Sequence, residues 1–178
     1  MSKNQVVLVD TANNPIGVED KLIAHQKGLL HRAFSVFVFN TEHQPCQLLI
    51  QQRQHDKYHS GGLWTNTCCS HPKPIEDITV AGERRLYEEM GIHVPLKSVG
   101  GFHYRAELDN GLIENELDHV LIGFSSIKEI PFNPREVAAV QWISIPDLLL
   151  DVTEHPKKYT AWFAAALEVA LTESDDAL

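Results

Sequence analysis

Runs of apolar residues, each bounded by turn-forming residues, predict that β-strands make up much of this chain. The first run, QVVLVD, is followed by the turn-like TANNPIG, and the run RAFSVFVFN is rich in aromatic and β-branched residues. Two later runs flank the turn-like sequence DNG and predict a pair of strands. The predicted strands cover residues 5–10, 32–40, 46–53, 100–108, 112–125 and 137–145.

Helical patterns are interspersed among these strands. Residues 75–91 are rich in helix formers and end in Gly91, a common residue at the C-terminal end of a helix. Residues 146–152 predict a short helix, and apolar residues at helical spacing predict a last helix over 158–173. We therefore expect an α+β fold, a mixed β-sheet packed between helices in a single compact domain, and we expect the acidic C-terminal tail to fray.

The composition argues against several classes of function. The 178 residues carry a formal net charge of −9, so the chain lacks the basic character that binding to nucleic acid requires. No segment approaches the run of about 20 apolar residues that a membrane helix needs, and the N-terminus lacks a secretory signal pattern. Three cysteines cannot form a disulfide framework. We expect a cytoplasmic protein with no nucleic-acid partner and no membrane partner.

Two glutamates in the predicted strand 112–125 are the first candidates for chemistry. Glu114 and Glu116 point to the same face, about 7 Å apart along the strand, and Asp118 continues that face. Carboxylates on one face repel each other unless a positive group lies between them, and a metal ion would be such a group. Taken alone, however, these residues fit a solvated strand face better than a metal site.

The sequence TNTCCSHP, residues 65–72, leaves four interpretations open. Cys68 and Cys69 could be metal ligands with His71, a redox pair, a nucleophile with its base, or small buried side chains. Their spacing is too short for the usual C-x₂₋₄-C arrangement of a zinc site. Together with the carboxylates, His25, His31 and His71 would suit a divalent ion such as Mn²⁺, Zn²⁺ or Fe²⁺, or Mg²⁺ if oxygens dominate. Individually, each histidine is better interpreted as a surface or core residue.

The segment 70–92 resembles the Nudix box, G-x₅-E-x₇-R-E-U-x-E-E-x-G-U, in which U is apolar. The matching residues are Glu76, Arg84, Leu86, Glu88, Glu89, Gly91 and Ile92. Ser70 stands where the box has its first glycine, and Arg85 stands where the box has a glutamate. In Nudix hydrolases, clustered glutamates of this helix present Mg²⁺ to a diphosphate. Arg85 removes one of those ligands and adds a cation, which still suits a diphosphate.

With Arg85 in place of the glutamate, the altered box and the segments that flank it resemble the type 1 isopentenyl-diphosphate Δ-isomerases. The resemblance covers nearly the whole chain. The segments that carry the resemblance are KLIAH, KGLLHRAFSVFVFN, LLIQQR, LWTNTCCSHP, FHYRA, ENELDHVL and YTAW. It implies a Nudix-like fold with an N-terminal strand and metal-site segment (1–31), a core (32–150) and a C-terminal helix (156–173), together spanning residues 1–178. The alternatives are a Nudix hydrolase of a nucleoside diphosphate derivative, a non-catalytic binding module on the same fold, and a structural metal protein.

The resemblance implies an isomerase of isoprenoid biosynthesis that interconverts isopentenyl and dimethylallyl diphosphate through a tertiary carbocation. Its implied catalytic residues are Cys69, Glu116 and Tyr104. Its implied metal centre, for Mn²⁺, Mg²⁺ or Zn²⁺, comprises His25, His31, His71, Glu114 and Glu116. Glu89 would hold a second, substrate-bridging Mg²⁺, and the implied residues for the diphosphate substrate are Lys21, Arg53, Lys57, Ser70, Arg85 and Trp162.

Some of these residues have plainer interpretations. Tyr104 could pack across neighbouring strands, and Trp162 could belong to the core side of the last helix. Cys68 is expected to pack in the interior, and the seven other histidines, including His59, are expected to be surface or core residues. For its partners, we expect a small-molecule diphosphate substrate and a chain that is a monomer or a weak homodimer.

Overall fold

Two long parallel strands form the centre of the sheet in the computed structural model, which describes residues 4–174. Strand β3 (His31–Asn40) pairs with β8 (Ile113–Phe124) from His31 opposite Glu116 to Phe39 opposite Phe124. The remaining strands are β1 (Gln5–Val9), β2 (Pro15–Asp20), β4 (Gln47–Arg53), β5 (Trp64–Thr65), β6 (Cys68–Ser70), β7 (Lys97–Glu107) and β9 (Val137–Ser144). They pair antiparallel to their neighbours, so the sheet is mixed, as predicted.

Strands β3 and β4 separate from each other and open the sheet. They pair only at Phe39 opposite Leu48 and at Asn40 opposite Gln47. Beyond these pairs, β4 hydrogen-bonds with β5 and β3 hydrogen-bonds with β6. The chain between β4 and α2 therefore lines a cleft between the two separating strands.

Both faces of β3 are buried, which explains its nearly continuous apolar sequence. On one face, Phe34 and Val36 pack with residues of α2 (Ile78–Met90). On the other face, Phe37 and Phe39 pack with residues of α4 (Phe163–Glu173). The sheet thus lies between helices, which confirms the predicted α+β architecture.

Local capping residues fix the helices nearest the cleft. Asp77 accepts hydrogen bonds from the first backbone amides of α2, and Gly91 ends that helix in the left-handed region at φ 68°. Asp20 caps the start of α1 (Lys21–Lys27) in the same way, and Gly28, with φ 62°, ends it. The short helix predicted over 146–152 is α3 (Ile145–Glu154). The helix α1 and the strands β2, β5 and β6 were not predicted.

The last helix begins later than predicted. Residues 156–158 form a 3₁₀ turn, and α4 begins only at Phe163, so the prediction of one helix over 156–173 is wrong. The helix starts late because the chain before it pairs with β5. Tyr159 forms a β-bridge with Trp64, and the amide of Thr160 donates to the carbonyl of Trp64. Trp162 therefore lies just before the helix.

In the described range 4–174, no helix is long and apolar enough to cross a membrane. The predicted domain extends from residue 1 to residue 178, and its first three residues lie outside the described range. The predicted fraying of the acidic tail falls mainly on residues 175–178 and also lies outside it.

Truncation of the α2 face that contacts the sheet should destabilise the protein. Leu86 is fully buried between α2 and the sheet, so Leu86→Ala should lower the free energy of unfolding by about 2–5 kcal/mol in urea titrations. Val80, on the same helix, is 55% exposed, and Val80→Ala should change it by no more than about 0.5 kcal/mol. Equal losses in the two variants would contradict this packing.

Candidate active site

Three histidines surround the buried carboxylate of Glu116. Its Oε1 atom lies 3.0 Å from Nε2 of His71, 3.2 Å from Nε2 of His31 and 3.8 Å from Nε2 of His25. His25 comes from α1, His31 opens β3 and lies opposite Glu116 of β8, and His71 follows β6. Four separate segments thus bring their side chains to one point.

This group of side chains fits a divalent metal ion. The four ligand atoms all lie within 4.8 Å of one another. Nε2 of His25 and Nε2 of His31 are buried and have no hydrogen-bond partner within residues 4–174. Nδ1 of His31 donates to the carbonyl of Leu29 over 2.8 Å, which leaves its Nε2 lone pair for an ion. The group could therefore hold a metal ion.

Burial and mutual contact set the protonation states of this group. Burial lowers the pKa of His71 to about 3, although Glu116 opposes this effect. Burial by itself would raise the pKa of Glu116, but interactions with His25, His31 and His71 outweigh it and hold that pKa well below the usual range. The group therefore contains a neutral imidazole at His71 and an ionised carboxylate, both of which are the forms that bind metals.

Glu114 lies beside this group and contacts a histidine to which the sequence assigned no role. Its Oε1 atom is 3.5 Å from Nε2 of His59, and both side chains are grouped with His25 within 4.8 Å. Its Oε2 atom is buried without a partner in the described part of the chain. Burial and the charge of Glu116 raise the pKa of Glu114 well above its usual value.

The two adjacent cysteines point to opposite faces of the sheet. Cys68 is fully buried in the cluster that contains Phe34 and Leu86, as expected for a packing residue. Cys69 pairs with Ser35 of β3 and lines the cleft. Burial raises the pKa of the Cys69 thiol to about 12, so the thiol is protonated at neutral pH.

Most of the predicted site residues line one cavity of about 150 Å³, here called the central pocket. Its walls include thiol, carboxylate, indole and cationic groups. The predicted residues among its walls are Lys21, Arg53, Lys57, Cys69, Ser70, His71, Arg85, Glu89, Glu114, Glu116 and Trp162. A second cavity of about 540 Å³ shares Lys21, Lys57 and Arg85 with it and adds Lys73 and Arg84. Four cationic and four acidic side chains thus face the central pocket, and the second cavity has more cationic than acidic side chains.

Three predicted residues do not line the pocket. His25 and His31 contact Glu116, as described above. Tyr104 of β7 lies directly opposite Glu116 in the β7–β8 register. Its hydroxyl is buried and has no partner among the described residues, and burial together with Glu114 raises its pKa. The hydroxyl is therefore available for a hydrogen bond.

Comparisons with known proteins agree with this architecture. The model of the NUDIX domain family matches residues 29–163. The chain is 49% identical over 174 residues to the isopentenyl-diphosphate Delta-isomerase of Photobacterium profundum, and the match covers 96% of each. It is 45% identical over 166 residues to isopentenyl-diphosphate Delta-isomerase 2 of Aromatoleum aromaticum, covering 93% of this chain and 86% of the relative.

The chain belongs to the isopentenyl-diphosphate Delta-isomerase family. The family resemblance inferred from the sequence is thereby confirmed.

Solved structures support the Nudix fold of this isomerase family member. A Deinococcus radiodurans protein superposes with a TM-score of 0.69 at 16% identity, covering 93% of this chain and 97% of that one. A MutT NUDIX hydrolase from Burkholderia pseudomallei gives a TM-score of 0.60 at 18% identity, covering 78% of this chain and 96% of that one. At this level of identity, the likeness concerns the fold alone.

Arg85 changes the Nudix helix of this isomerase family member. One of its nitrogens donates to Oε1 of Glu89 over 2.5 Å, and Gln51 donates to Oε2 of Glu89 over 2.9 Å. Arg85 also donates to Glu88 over 2.6 Å, and Arg84 forms a two-point ion pair with Glu76. The glutamates of the box are therefore paired with arginines rather than collected around one point.

Three residues of the site were not assigned a role from the sequence. The hydroxyl of Tyr58 hydrogen-bonds with Nδ1 of His25 at 3.0 Å, and His59 contacts Glu114. Asp118 accepts a hydrogen bond of 2.7 Å from the hydroxyl of Ser35, and burial together with Glu116 raises its pKa. The alternation of Glu114, Glu116 and Asp118 was a signal for the last one. Tyr58 and His59 had none, because a loop places them there.

Loss of a histidine from the group around Glu116 should weaken metal binding. His31→Ala removes a buried donor, so the dissociation constant for Mn²⁺ should rise at least about tenfold in calorimetric titrations of protein treated with chelator. His43→Ala, which removes an exposed imidazole outside the site, should bind as the parent protein does. An unchanged constant for His31→Ala would refute the assignment.

Proposed function

We infer that this chain interconverts isopentenyl diphosphate and dimethylallyl diphosphate, a step of isoprenoid biosynthesis. The observation that carries this inference is the central pocket, which combines the Cys69 thiol, the Glu116 carboxylate, the Trp162 indole and a set of cationic side chains. Membership of the isopentenyl-diphosphate Delta-isomerase family supports it. Hydrolysis of a nucleoside diphosphate derivative is not favoured, since Arg85 replaces a metal-binding glutamate of the Nudix box and Cys69 would have no use.

The reaction makes three demands on the pocket. Addition of a proton to an unactivated alkene creates a tertiary carbocation, so water and other nucleophiles must be kept away. A proton must be supplied at one carbon, and a different proton must be removed from another carbon. The diphosphate must be held so that both carbons face the acid and the base.

We assign the two proton transfers to Cys69 and Glu116. One group adds a proton to the terminal carbon of the double bond, and the other removes a proton from the opposite side of the cation. The roles exchange when the reaction runs backwards. After one forward turnover the donor is deprotonated and the acceptor is protonated, so the pair must exchange protons with water after product release before the next forward turnover. The raised pKa of Cys69 and the lowered pKa of Glu116 support a thiol–carboxylate pair that holds one transferable proton.

We also assign roles in the proton transfers to two aromatic side chains. The Trp162 ring lines the central pocket, and an indole face attracts a cation by about 2 kcal/mol when water is excluded. This is a small part of the barrier, so positioning and fixed charges must supply most of the rest. Tyr104, which lies opposite Glu116, would hydrogen-bond with the proton-transfer group.

The cationic side chains of the pocket would hold the diphosphate. We assign this role to Arg53, Arg85, Lys21 and Lys57, with Ser70 lining the same wall. Arg53 lies 5.5 Å from the Trp162 ring, which places a diphosphate-binding group next to the proposed hydrocarbon end. We assign a substrate-bridging Mg²⁺ to Glu89, because Mg²⁺ in proteins is commonly held by one or two carboxylates and by substrate phosphates.

We propose that His25, His31, His71, Glu114 and Glu116 hold a divalent ion, with Mn²⁺, Zn²⁺ and Mg²⁺ as the candidates. The imidazole and carboxylate donors of this set suit such ions. When bound, the ion withdraws negative charge from Glu116 and lowers the proton affinity of that carboxyl group. The histidines orient Glu116 toward the pocket, and the strands around them exclude water.

Isomerisation can be observed directly. Incubation of the folded protein with isopentenyl diphosphate, Mg²⁺ and Mn²⁺ in D₂O should give dimethylallyl diphosphate that carries deuterium, because the added proton comes from an exchangeable group. NMR measures both product and label. Absence of isomerisation with metals supplied, or substantial turnover of a panel of nucleotides instead, would refute the inference.

The two cysteines provide a matched pair of variants. Cys69→Ala should lower kcat by about 10²–10⁴-fold, because it removes a proton-transfer group. Cys68→Ala should leave the rate per folded molecule unchanged, since this side chain lies in the core on the other face of the sheet. The assignment fails if Cys68→Ala is the inactive variant while Cys69→Ala retains its rate.

A small-molecule diphosphate substrate is the partner that this function requires. The cytoplasmic location, the absence of nucleic-acid and membrane partners, and the monomer or weak homodimer stay predictions from the sequence. Light scattering on purified protein measures the mass in solution.

A further inference from the structure

His59 lies in the loop between β4 and β5 and faces the acidic side chains of β8. It is only 7% exposed. Its ring lies edge-on to Tyr58, with 4.5 Å between ring centroids, and 5.7 Å from the ring of His25. It also lies 6.3 Å from the Trp162 ring. The loop therefore places a fourth imidazole next to the three that surround Glu116.

The distance between His59 and Glu114 suits two ligands of one ion. Nε2 of His59 is 3.5 Å from Oε1 of Glu114, within the range of 3.0–3.8 Å that separates the three other imidazoles from Oε1 of Glu116. Two donors that each lie about 2.0–2.2 Å from one ion, at octahedral or tetrahedral angles, are about 2.8–3.6 Å apart. The pair matches that separation.

The second ring nitrogen of His59 is engaged as in His25 and His31. Nδ1 of His59 hydrogen-bonds with the hydroxyl of Ser60 at 3.2 Å. Nδ1 of His31 donates to the carbonyl of Leu29, and Nδ1 of His25 hydrogen-bonds with the hydroxyl of Tyr58. A metal-binding histidine normally uses one ring nitrogen in this way and presents the other to the ion. All three residues therefore present Nε2 to the interior of the site.

The two groups of ligands share His25, which favours one ion over two. Nε2 of His25 is the nitrogen left for a metal, since Nδ1 already contacts Tyr58. One nitrogen lone pair binds one ion. The six ligand atoms form two groups and do not all lie within 4.8 Å of one another, so His25, which belongs to both, is the residue through which Glu114 and His59 would join the ion held by His31, His71 and Glu116.

We propose that His59 is a further metal ligand of this centre and that it brings Glu114 to the same ion. This inference rests on the metal centre of the proposed function. The centre then comprises six residues with four imidazole nitrogens and two carboxylates. Such a nitrogen-rich set favours transition-metal ions and Zn²⁺ over Mg²⁺, which prefers oxygen ligands.

Cobalt binding tests this inference without any measurement of activity. The full chain is treated with chelator, dialysed and titrated with Co²⁺, whose visible absorption depends on the number and type of its ligands. The parent protein should bind one Co²⁺ per chain. His59→Ala should shift the absorption bands and raise the dissociation constant about 10–100-fold, while His43→Ala should change neither.

Three further outcomes separate the possible failures. If His31→Ala weakens Co²⁺ binding but His59→Ala keeps the parent spectrum and affinity, His59 only packs in the site and the inference is overturned, while the metal centre stands. If the parent protein binds no Co²⁺, or if His31→Ala binds as the parent does, the metal centre fails and the inference fails with it. Two Co²⁺ ions per chain that are both lost in His25→Ala, in the absence of any diphosphate that would complete the Glu89 site, would overturn the single shared centre.

Circular dichroism of the metal-free variants checks their folding. Should His59→Ala unfold, His59→Gln provides the same test, because it keeps a polar side chain of similar length without the imidazole. The inference predicts a shifted Co²⁺ spectrum for the glutamine variant as well, and an unshifted spectrum in folded His59→Gln overturns it.

Discussion

A carboxylate that is removed from water must be balanced by the groups around it, and Glu116 is only 6% exposed. Leaving such a charge unpaired in a protein interior costs several kcal/mol. Three imidazoles surround it, from α1, from the start of β3 and from the residue after β6, and a divalent ion held among them would balance its charge. This one requirement therefore ties together the N-terminal segment, the central parallel strands and the chain that lines the cleft.

The pairing of the strands brings the side chains of the candidate active site together. The parallel register of β3 and β8 sets His31 beside Glu116, and the antiparallel register of β3 and β6 sets Cys69 beside Ser35. Because side chains alternate along a strand, Cys69 joins the face that carries the carboxylates while Cys68 enters the core. Two adjacent cysteines thus have separate environments, one at the pocket and one in the interior.

Much of this could be predicted from the sequence, and what could not has physical reasons. The alternation of Glu114 and Glu116 and the pattern of the Nudix helix are local signals, and both correspond to elements of the structure. Helix α1 has seven residues and β6 has three, too few for a periodic pattern, although Asp20 and Gly28 were available as helix ends. The contact of His59 with Glu114 and the delayed start of α4 both depend on residues far away in sequence.

We propose that a metal ion and the substrate meet at Glu116 in the central pocket. Anomalous diffraction from crystals soaked with Mn²⁺ and isopentenyl diphosphate would locate both. We expect a strong anomalous peak within bonding distance of His31, His71 and Glu116, with the hydrocarbon of the ligand between Cys69 and Glu116. A peak bound elsewhere, or a ligand outside the central pocket, would contradict it.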